Sequence, residues 1–153
     1  LALRLVAGTA DDSAKPFELG NELDELQTLG AEIGFGRTGY TLRGYSDNEP
    51  ELTGDNLRLY SAEYRLPVGQ WFDGFSRVPL GLGKAAMHFF VDHGAAWDDG
   101  ADREFYTGVG VELRPDLLIG YSTLKLNSTL GFAKGLDNEI GETTVYLRLG
   151  ASF

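Results

Sequence analysis

One arginine stands in a long polar, glycine-rich region where its chemistry could be used. Arg43 lies in TLRGYSDNEP, residues 41–50, and is followed by Gly44 and Tyr45. A guanidinium offers a rigid fork of N–H donors that matches a carboxylate with two parallel hydrogen bonds. The same residue could also be a solvated loop arginine, and the motif by itself leaves both interpretations open.

Two histidines and an acidic pair are the other groups that could carry chemistry. His88 and His93 lie in one strand-like run, and histidine can act as an acid, a base or a metal ligand. Asp98 and Asp99 precede Gly100, a pattern typical of a turn and not of a calcium loop. No serine, histidine and aspartate arrangement has a supporting context, so we expect no enzyme activity, no metal site and no cofactor.

Composition narrows the class of protein. The chain has 153 residues, 21 Gly, no Cys and a net charge of −10. Without cysteine there is neither a disulfide framework nor a thiolate metal site. Nucleic-acid binding requires clustered Lys and Arg, so the acidic balance argues against that partner. No apolar run approaches the roughly 18 residues that a membrane helix needs.

Alternation with a period of two dominates the hydrophobic pattern. In TVYLRLGASF, Val145, Leu147 and Leu149 fall on one face, whereas Tyr146 and Arg148 fall on the other. The pattern predicts six β-strands with polar or Pro/Gly-containing connections, and one or two helical turns within residues 20–33. The predicted strands are residues 1–8, 57–68, 84–97, 105–114, 122–132 and 144–153.

The alternation suits two architectures. In a soluble β-sandwich the apolar face packs into a core, whereas in a membrane barrel it faces lipid and the polar face lines the lumen. Short connections, 114–116 and 69–77, alternate with long ones, 10–56 and 98–104, and this alternation favours the barrel. The barrel also predicts that one set of apolar residues points outward: Val109, Val111, Leu124, Leu126, Leu130, Val145, Leu147 and Leu149.

Several motifs occur in an order that resembles one family. PFELG at 16–20, TLRGY at 41–45, SAEYRLPV at 61–68, FFVDHGAAW at 89–97 and a last strand ending at Phe153 resemble the C-terminal part of the bacterial surface antigen barrel superfamily. That superfamily includes outer-membrane insertases and two-partner-secretion transporters. The resemblance implies an all-β fold: residues 1–153 form the C-terminal six strands of a sixteen-stranded antiparallel transmembrane β-barrel. Residues 10–56 form a long loop folded into the lumen.

The resemblance also assigns roles to individual residues. Arg43, Gly44 and Tyr45 match the arginine motif of the lumen loop, which pairs with an acidic residue on the barrel wall. Asp92 is the first candidate for that acid and Glu63 the second. Further matches are Phe90 and Gly94 in the wall motif, and Tyr146, Leu149 and Phe153 in a C-terminal assembly signal.

The implied function is insertion or translocation of polypeptides in the bacterial cell outer membrane. Its partners are outer-membrane lipid, unfolded or secreted polypeptide substrates, and the remainder of the barrel, supplied by an upstream chain or a second copy. Because Leu1 opens directly into a strand pattern, we expect a longer polypeptide. Two alternatives stay open: a barrel anchor for a secreted patatin-type enzyme, and a soluble β-sandwich binding module.

Overall fold

A six-stranded antiparallel sheet forms the body of the chain. The computed structural model describes residues 1–11, 14–20, 39–47, 49–72, 80–120 and 124–151. The strands of the large sheet are β1 Ala2–Thr9, β5 Asn56–Phe72, β6 Leu80–Trp97, β7 Tyr106–Ile119, β8 Leu124–Gly135 and β9 Thr143–Ala151. Their order across the sheet is β1-β5-β6-β7-β8-β9, so each strand from β5 onward pairs with the next along the chain.

The sheet is open, because β1 and β9 do not pair with each other. Within the described part of the chain, β1 pairs with β5 alone, and β9 pairs with β8 alone. The all-β class and the antiparallel six-stranded arrangement therefore agree with the sequence prediction, while a closed barrel is not formed by these strands. Among the described residues, no helix is long and apolar enough to cross a membrane.

The predicted loop 10–56 contains structure of its own. Three short strands within it, β2 Phe17–Gly20, β3 Gly39–Thr41 and β4 Thr53–Gly54, form a second sheet in the order β3-β2-β4. A 3₁₀ turn at Pro50–Leu52 leads into β4. This small sheet lies against the large one at the end where β5 begins and β6 ends, as contacts of β2, β4 and the turn with β6 show. The helical turns predicted within 20–33 fall on residues 21–33, which lie outside the described residues.

The core lies between the small sheet and one face of the large sheet, which we call the inner face. From the loop region come Leu19, Leu42, Tyr45 and Leu52, each at most 1% exposed. From the large sheet come the inner-face residues that pack against them: Leu57, Leu59, Ala96 and Tyr106. Burial of these apolar side chains is the main attraction between the two parts.

The opposite, outer face is apolar and exposed. Val145 is 70% exposed, Leu147 63%, Leu149 49% and Leu130 51%. Val109, Val111 and Leu126 lie on the same face by the strand register and are half-buried. The predicted outward orientation is thus present at all seven of these positions, while the side chain of Leu124 is not described.

One predicted connection is wrong. The sequence predicts a turn at residues 114–116, but β7 continues through them to Ile119. Proline is tolerated there because the ladder is irregular: the β6–β7 register shifts between Leu82 and Ala85, opposite Pro115. The hydroxyl of Ser128 donates to the carbonyl of Pro115 at 2.7 Å, which satisfies that acceptor. Likewise, β5 extends to Phe72 and includes part of the connection predicted at 69–77.

Candidate functional site

The arginine motif lies against the inner face of the large sheet. Arg43 is 6% exposed and Tyr45 is fully buried. The segment leaves β3 at Thr41, and the backbone N–H of Leu42 donates to the carbonyl of Gly20 at 2.7 Å. The small sheet therefore directs the segment toward the inner face of the large sheet, and the burial of Arg43 excludes the interpretation of a solvated loop arginine.

Arg43 and Asp92 form a bidentate ion pair. Nε of Arg43 donates to Oδ2 of Asp92 at 2.6 Å, and Nη2 donates to Oδ1 at 2.8 Å. The Asp92 side chain is only 1% exposed. The guanidinium also lies over the ring of Phe90, with Cζ 3.5 Å from the ring centroid. The two wall residues that the resemblance names around this arginine, Asp92 and Phe90, thus both contact it.

Two further carboxylates reach the remaining nitrogen of the guanidinium. Nη1 of Arg43 lies 3.3 Å from Oε1 of Glu63 and 3.2 Å from Oε1 of Glu112. Burial disfavours the charged guanidinium, but the hydrogen bonds and charge of Asp92 and the charge of Glu112 outweigh burial, so the pKa of Arg43 lies above its ordinary value. Arg43 is therefore a permanent positive charge among three acids.

Neighbouring side chains from the inner face complete the network. Arg65 donates to Oε2 of Glu63 from Nε at 3.2 Å. Arg114 donates to Oε2 of Glu112 from Nε at 2.8 Å, and the hydroxyl of Tyr146 donates to Oε1 of Glu112. Four strands, β5, β6, β7 and β9, therefore contribute to the surroundings of one loop arginine. Because every buried carboxylate has several donors, the network holds its members in one arrangement.

Glycines allow the motif to approach the wall closely. A Cβ at Gly108, on β7, would overlap with the carbonyl oxygen of Arg43. Gly44 has φ +93°, and a Cβ there would overlap with the backbone of Lys134 and Gly135 on β8. The backbone N–H of Glu142 donates to the carbonyl of Gly44 at 2.9 Å. The backbone of the motif therefore packs directly on the strands.

Tyr45 fixes the other side of the motif. Its hydroxyl donates to the carbonyl of Thr107 at 2.8 Å and accepts from the N–H of Thr107 at 3.1 Å. Its ring meets Tyr106 edge to face, with centroids 5.8 Å apart. Tyr45 also forms a bridge with Gly141 in the connection between β8 and β9.

The remaining predicted site residues are dispersed. Gly94 is buried, and a Cβ there would meet the side chains of Leu59 and Leu19 at 3.0 and 3.2 Å. Tyr146 joins the inner network through Glu112, whereas Leu149 faces outward and does not contact it. Phe153 lies outside the described residues, so the assembly signal proposed for the last strand is only partly placed.

Sequence reasoning missed Glu112, Arg65 and Arg114 as members of this network. Glu112 shares the polar face of β7 with Gly108 and Gly110, so its inward orientation follows from the pattern. Its contact with Arg43, which is 69 residues away along the chain, depends on tertiary structure.

The arrangement is suited to holding a segment in place. Among the described residues, no group of three or more His, Asp or Glu side chains is placed to hold a metal ion. His88 lies on the inner face, with Nδ1 3.6 Å from Oε2 of Glu63, while His93 lies on the outer face, where it stacks on Phe105. The two histidines are therefore apart.

The chain matches no protein-family model, no curated protein and no solved structure.

Proposed function

We propose that this chain is part of an antiparallel β-barrel in the bacterial outer membrane that acts in insertion or translocation of polypeptides. In this proposal the outer face of the large sheet contacts lipid, and the inner face lines the lumen. The segment around Arg43 is the lumen loop.

The apolar outer face supports the membrane part of the proposal. Large apolar side chains from most strands are exposed there, including Leu3 at 75%, Leu5 at 68% and Phe89 at 45%. Contiguous exposed apolar surface marks a place where a protein meets a partner or a membrane. Alternation of outward apolar and inward polar residues along every strand is the pattern of transmembrane barrels.

The open edges support a partner that continues the sheet. β1 and β9 each have one row of backbone N–H and C=O groups with no strand beside it in the described part of the chain. In lipid each unsatisfied group costs several kcal/mol, so open edges do not persist in a membrane. An upstream part of the polypeptide or a second copy therefore covers these edges.

The single observation that carries the functional assignment is the clamp formed by Arg43 and its acids. The arginine of the resembling loop motif and the acid of the resembling wall motif, 49 residues apart, meet through two hydrogen bonds. In the family that the motifs resemble, a lumen loop held by such an ion pair belongs to a barrel that inserts or translocates polypeptides. The substrates proposed are unfolded or secreted polypeptides.

Replacement of the clamp arginine tests this function. We expect Arg43→Ala in the full-length protein to reduce outer-membrane assembly or transport of polypeptide substrates by about tenfold or more, because the loop loses its ion pairs with the large sheet while buried acids lose their counter-ion. Substrate protein in the outer membrane or medium is measured by immunoblot. Arg103→Ala is the control, since Arg103 is an exposed residue of the β6–β7 connection. Unchanged transport in Arg43→Ala, with the protein folded, would contradict the proposal.

A further inference from the structure

A cleft of about 330 Å³ opens on the inner face and is lined by residues of both edge strands. Its volume suits a small solute, since ligand sites typically span about 300–1,000 Å³. Two carboxylates, Glu63 and Asp92, line it. The arginines that line it outnumber them: Arg4, Arg43, Arg65, Arg114 and Arg148.

The cleft has the opposite sign to the protein as a whole. The chain carries a net charge of −10, yet five arginines converge here from β1, the loop, β5, β7 and β9. Concave sites with an excess of one sign of charge concentrate ions of the other sign. Local positive charge in so acidic a chain indicates recognition of an anion.

Two of these arginines, Arg4 and Arg148, have no carboxylate partner among the described residues. Arg43, Arg65 and Arg114 form ion pairs with Asp92, Glu63 and Glu112. No ion pair joins Arg4 or Arg148 to an acid in the part of the chain that the structure describes. The register places Arg4 opposite Ser61, on the same side of the sheet as Glu63, so its side chain belongs to the inner face.

Arg148 has donors that the described residues do not use. Its guanidinium lies over the ring of Tyr146, with Cζ 4.4 Å from the centroid. Nε and Nη2 are shielded from solvent and have no hydrogen-bond partner among the described residues. Buried polar groups without a partner are uncommon, because leaving such a group without a hydrogen bond is unfavourable. The contact with the Tyr146 ring restrains the guanidinium, whose N–H donors form a rigid fork that matches an oxyanion.

We infer that this cleft binds a small multivalent oxyanion, with Arg148 and Arg4 as its principal ligands and Arg114 beside them. Phosphate and dicarboxylates share the required chemistry: at least two negative charges and oxygens spaced for a guanidinium fork. A soluble anion is favoured over a lipid headgroup, because the cleft lies on the face opposite the apolar one. The inference is independent of the proposed transport function, since it depends on the inner face alone.

Titration of the full-length protein in zwitterionic detergent tests the inference. Inorganic phosphate and succinate are the probes. Their binding is measured by isothermal titration calorimetry at low ionic strength, with chloride as the competing salt. We expect saturable binding that weakens with salt. Arg148→Gln and Arg4→Gln should each weaken phosphate binding by about tenfold, which corresponds to about 1.4 kcal/mol.

Arg58→Gln is the matched control, since Arg58 lies exposed on the outer face of β5 between the buried Leu57 and Leu59. Its affinity for phosphate should change by less than about twofold. If Arg148→Gln does not fold, as judged by circular dichroism, Arg4→Gln decides. Absence of saturable binding of both probes to the unmodified protein, or equal affinity in Arg4→Gln and Arg58→Gln, would overturn the inference.

Discussion

At the residue scale, the acids around Arg43 differ in their hydrogen bonds to it and in their burial. Asp92 accepts two short hydrogen bonds from Arg43 and is almost fully buried, whereas Glu63 accepts one from Arg43 at 3.3 Å and has a side chain 15% exposed. Breaking a buried ion pair leaves an uncompensated charge, which is the costly event, while a partly hydrated partner contributes little. The two acids named by the resemblance therefore differ in importance for stability.

The first prediction follows from this difference. Asp92→Ala should lower the free energy of unfolding by about 3 kcal/mol, because Arg43 then retains only its weaker acid contacts. Glu63→Ala should lower it by less than about 1 kcal/mol. Denaturant unfolding of the purified protein, followed by tryptophan fluorescence, provides the measurement. Equal losses for the two variants would show that Arg43 has no preferred partner.

A second residue-scale prediction concerns Asp137 in the β8–β9 connection. Backbone N–H groups of Ile140 and Glu139 donate to its Oδ1 at 3.0 and 2.8 Å, and they lower the pKa of Asp137 below its ordinary value of 3.8. A carboxyl with a lowered pKa in the folded state stabilises the turn above pH 3.8, and that contribution is lost as the pH falls through the folded pKa.

Acidification should therefore speed amide hydrogen exchange at Glu139 and Ile140, relative to the intrinsic rate at the same pH. Asp137→Asn retains an oxygen acceptor without the titration, so its exchange should show no such change. The same acid response in both proteins would assign the effect to another group.

At the element scale, the loop and the strands meet backbone to backbone. Gly44 combines a positive φ of +93° with direct contact on β8. Gly100, in the β6–β7 connection, has a similar φ of +84°, but a Cβ at that position would have no neighbour within 4 Å. A comparison of the two glycines therefore separates two costs of adding a Cβ. One is the strain of a positive φ, present at both positions, and the other is the overlap with β8, present only at Gly44.

The prediction at this scale uses that pair. Gly100→Ala should cost about 1 kcal/mol, since a left-handed conformation is unfavourable for a residue with a Cβ. Gly44→Ala should cost at least about 2 kcal/mol more, because the motif must also move away from β8. Thermal unfolding of the purified variants measures both costs. A similar cost for the two variants would mean that the segment does not pack tightly on the wall.

At the scale of the whole molecule, the outer face separates a membrane protein from a soluble one. Leu147, on β9, is 63% exposed, and Leu136, just beyond the end of β8, is 54% exposed. In water, a charge at either position would be nearly neutral for stability. In a bilayer, only the position on the strand would meet the hydrocarbon.

The corresponding prediction compares two arginine substitutions. Leu147→Arg should destabilise the membrane-inserted protein by about 2–4 kcal/mol, the cost of an arginine at the bilayer midplane. Leu136→Arg should cost less than about 1 kcal/mol, as expected near an interface. Folding into lipid vesicles, followed by urea unfolding, measures the difference. Equal tolerance of both changes would favour the alternative of a soluble binding module.

Much of the large sheet is predictable from the sequence, because apolar and polar residues alternate along most of its strands and the geometry of an extended backbone converts that alternation into two faces. The outward orientation of Val145, Leu147 and Leu149 follows from the pattern alone. The turn predicted at 114–116 is wrong because Pro and Asp favour turns locally, whereas the irregular pairing of β6 with β7 accommodates Pro115 within a strand. Local preference is overruled there by the register of neighbouring strands.

The candidate site is likewise only partly predictable from the sequence. Its residue types, an arginine beside a glycine and an aromatic, and acids on polar strand faces, are visible in the sequence. Which acids meet Arg43 was decided by tertiary structure, because Glu63, Asp92 and Glu112 come from three strands that only the sheet brings side by side. Alternation determines the face on which a side chain lies, and strand register together with the docked loop determines which side chains on that face touch.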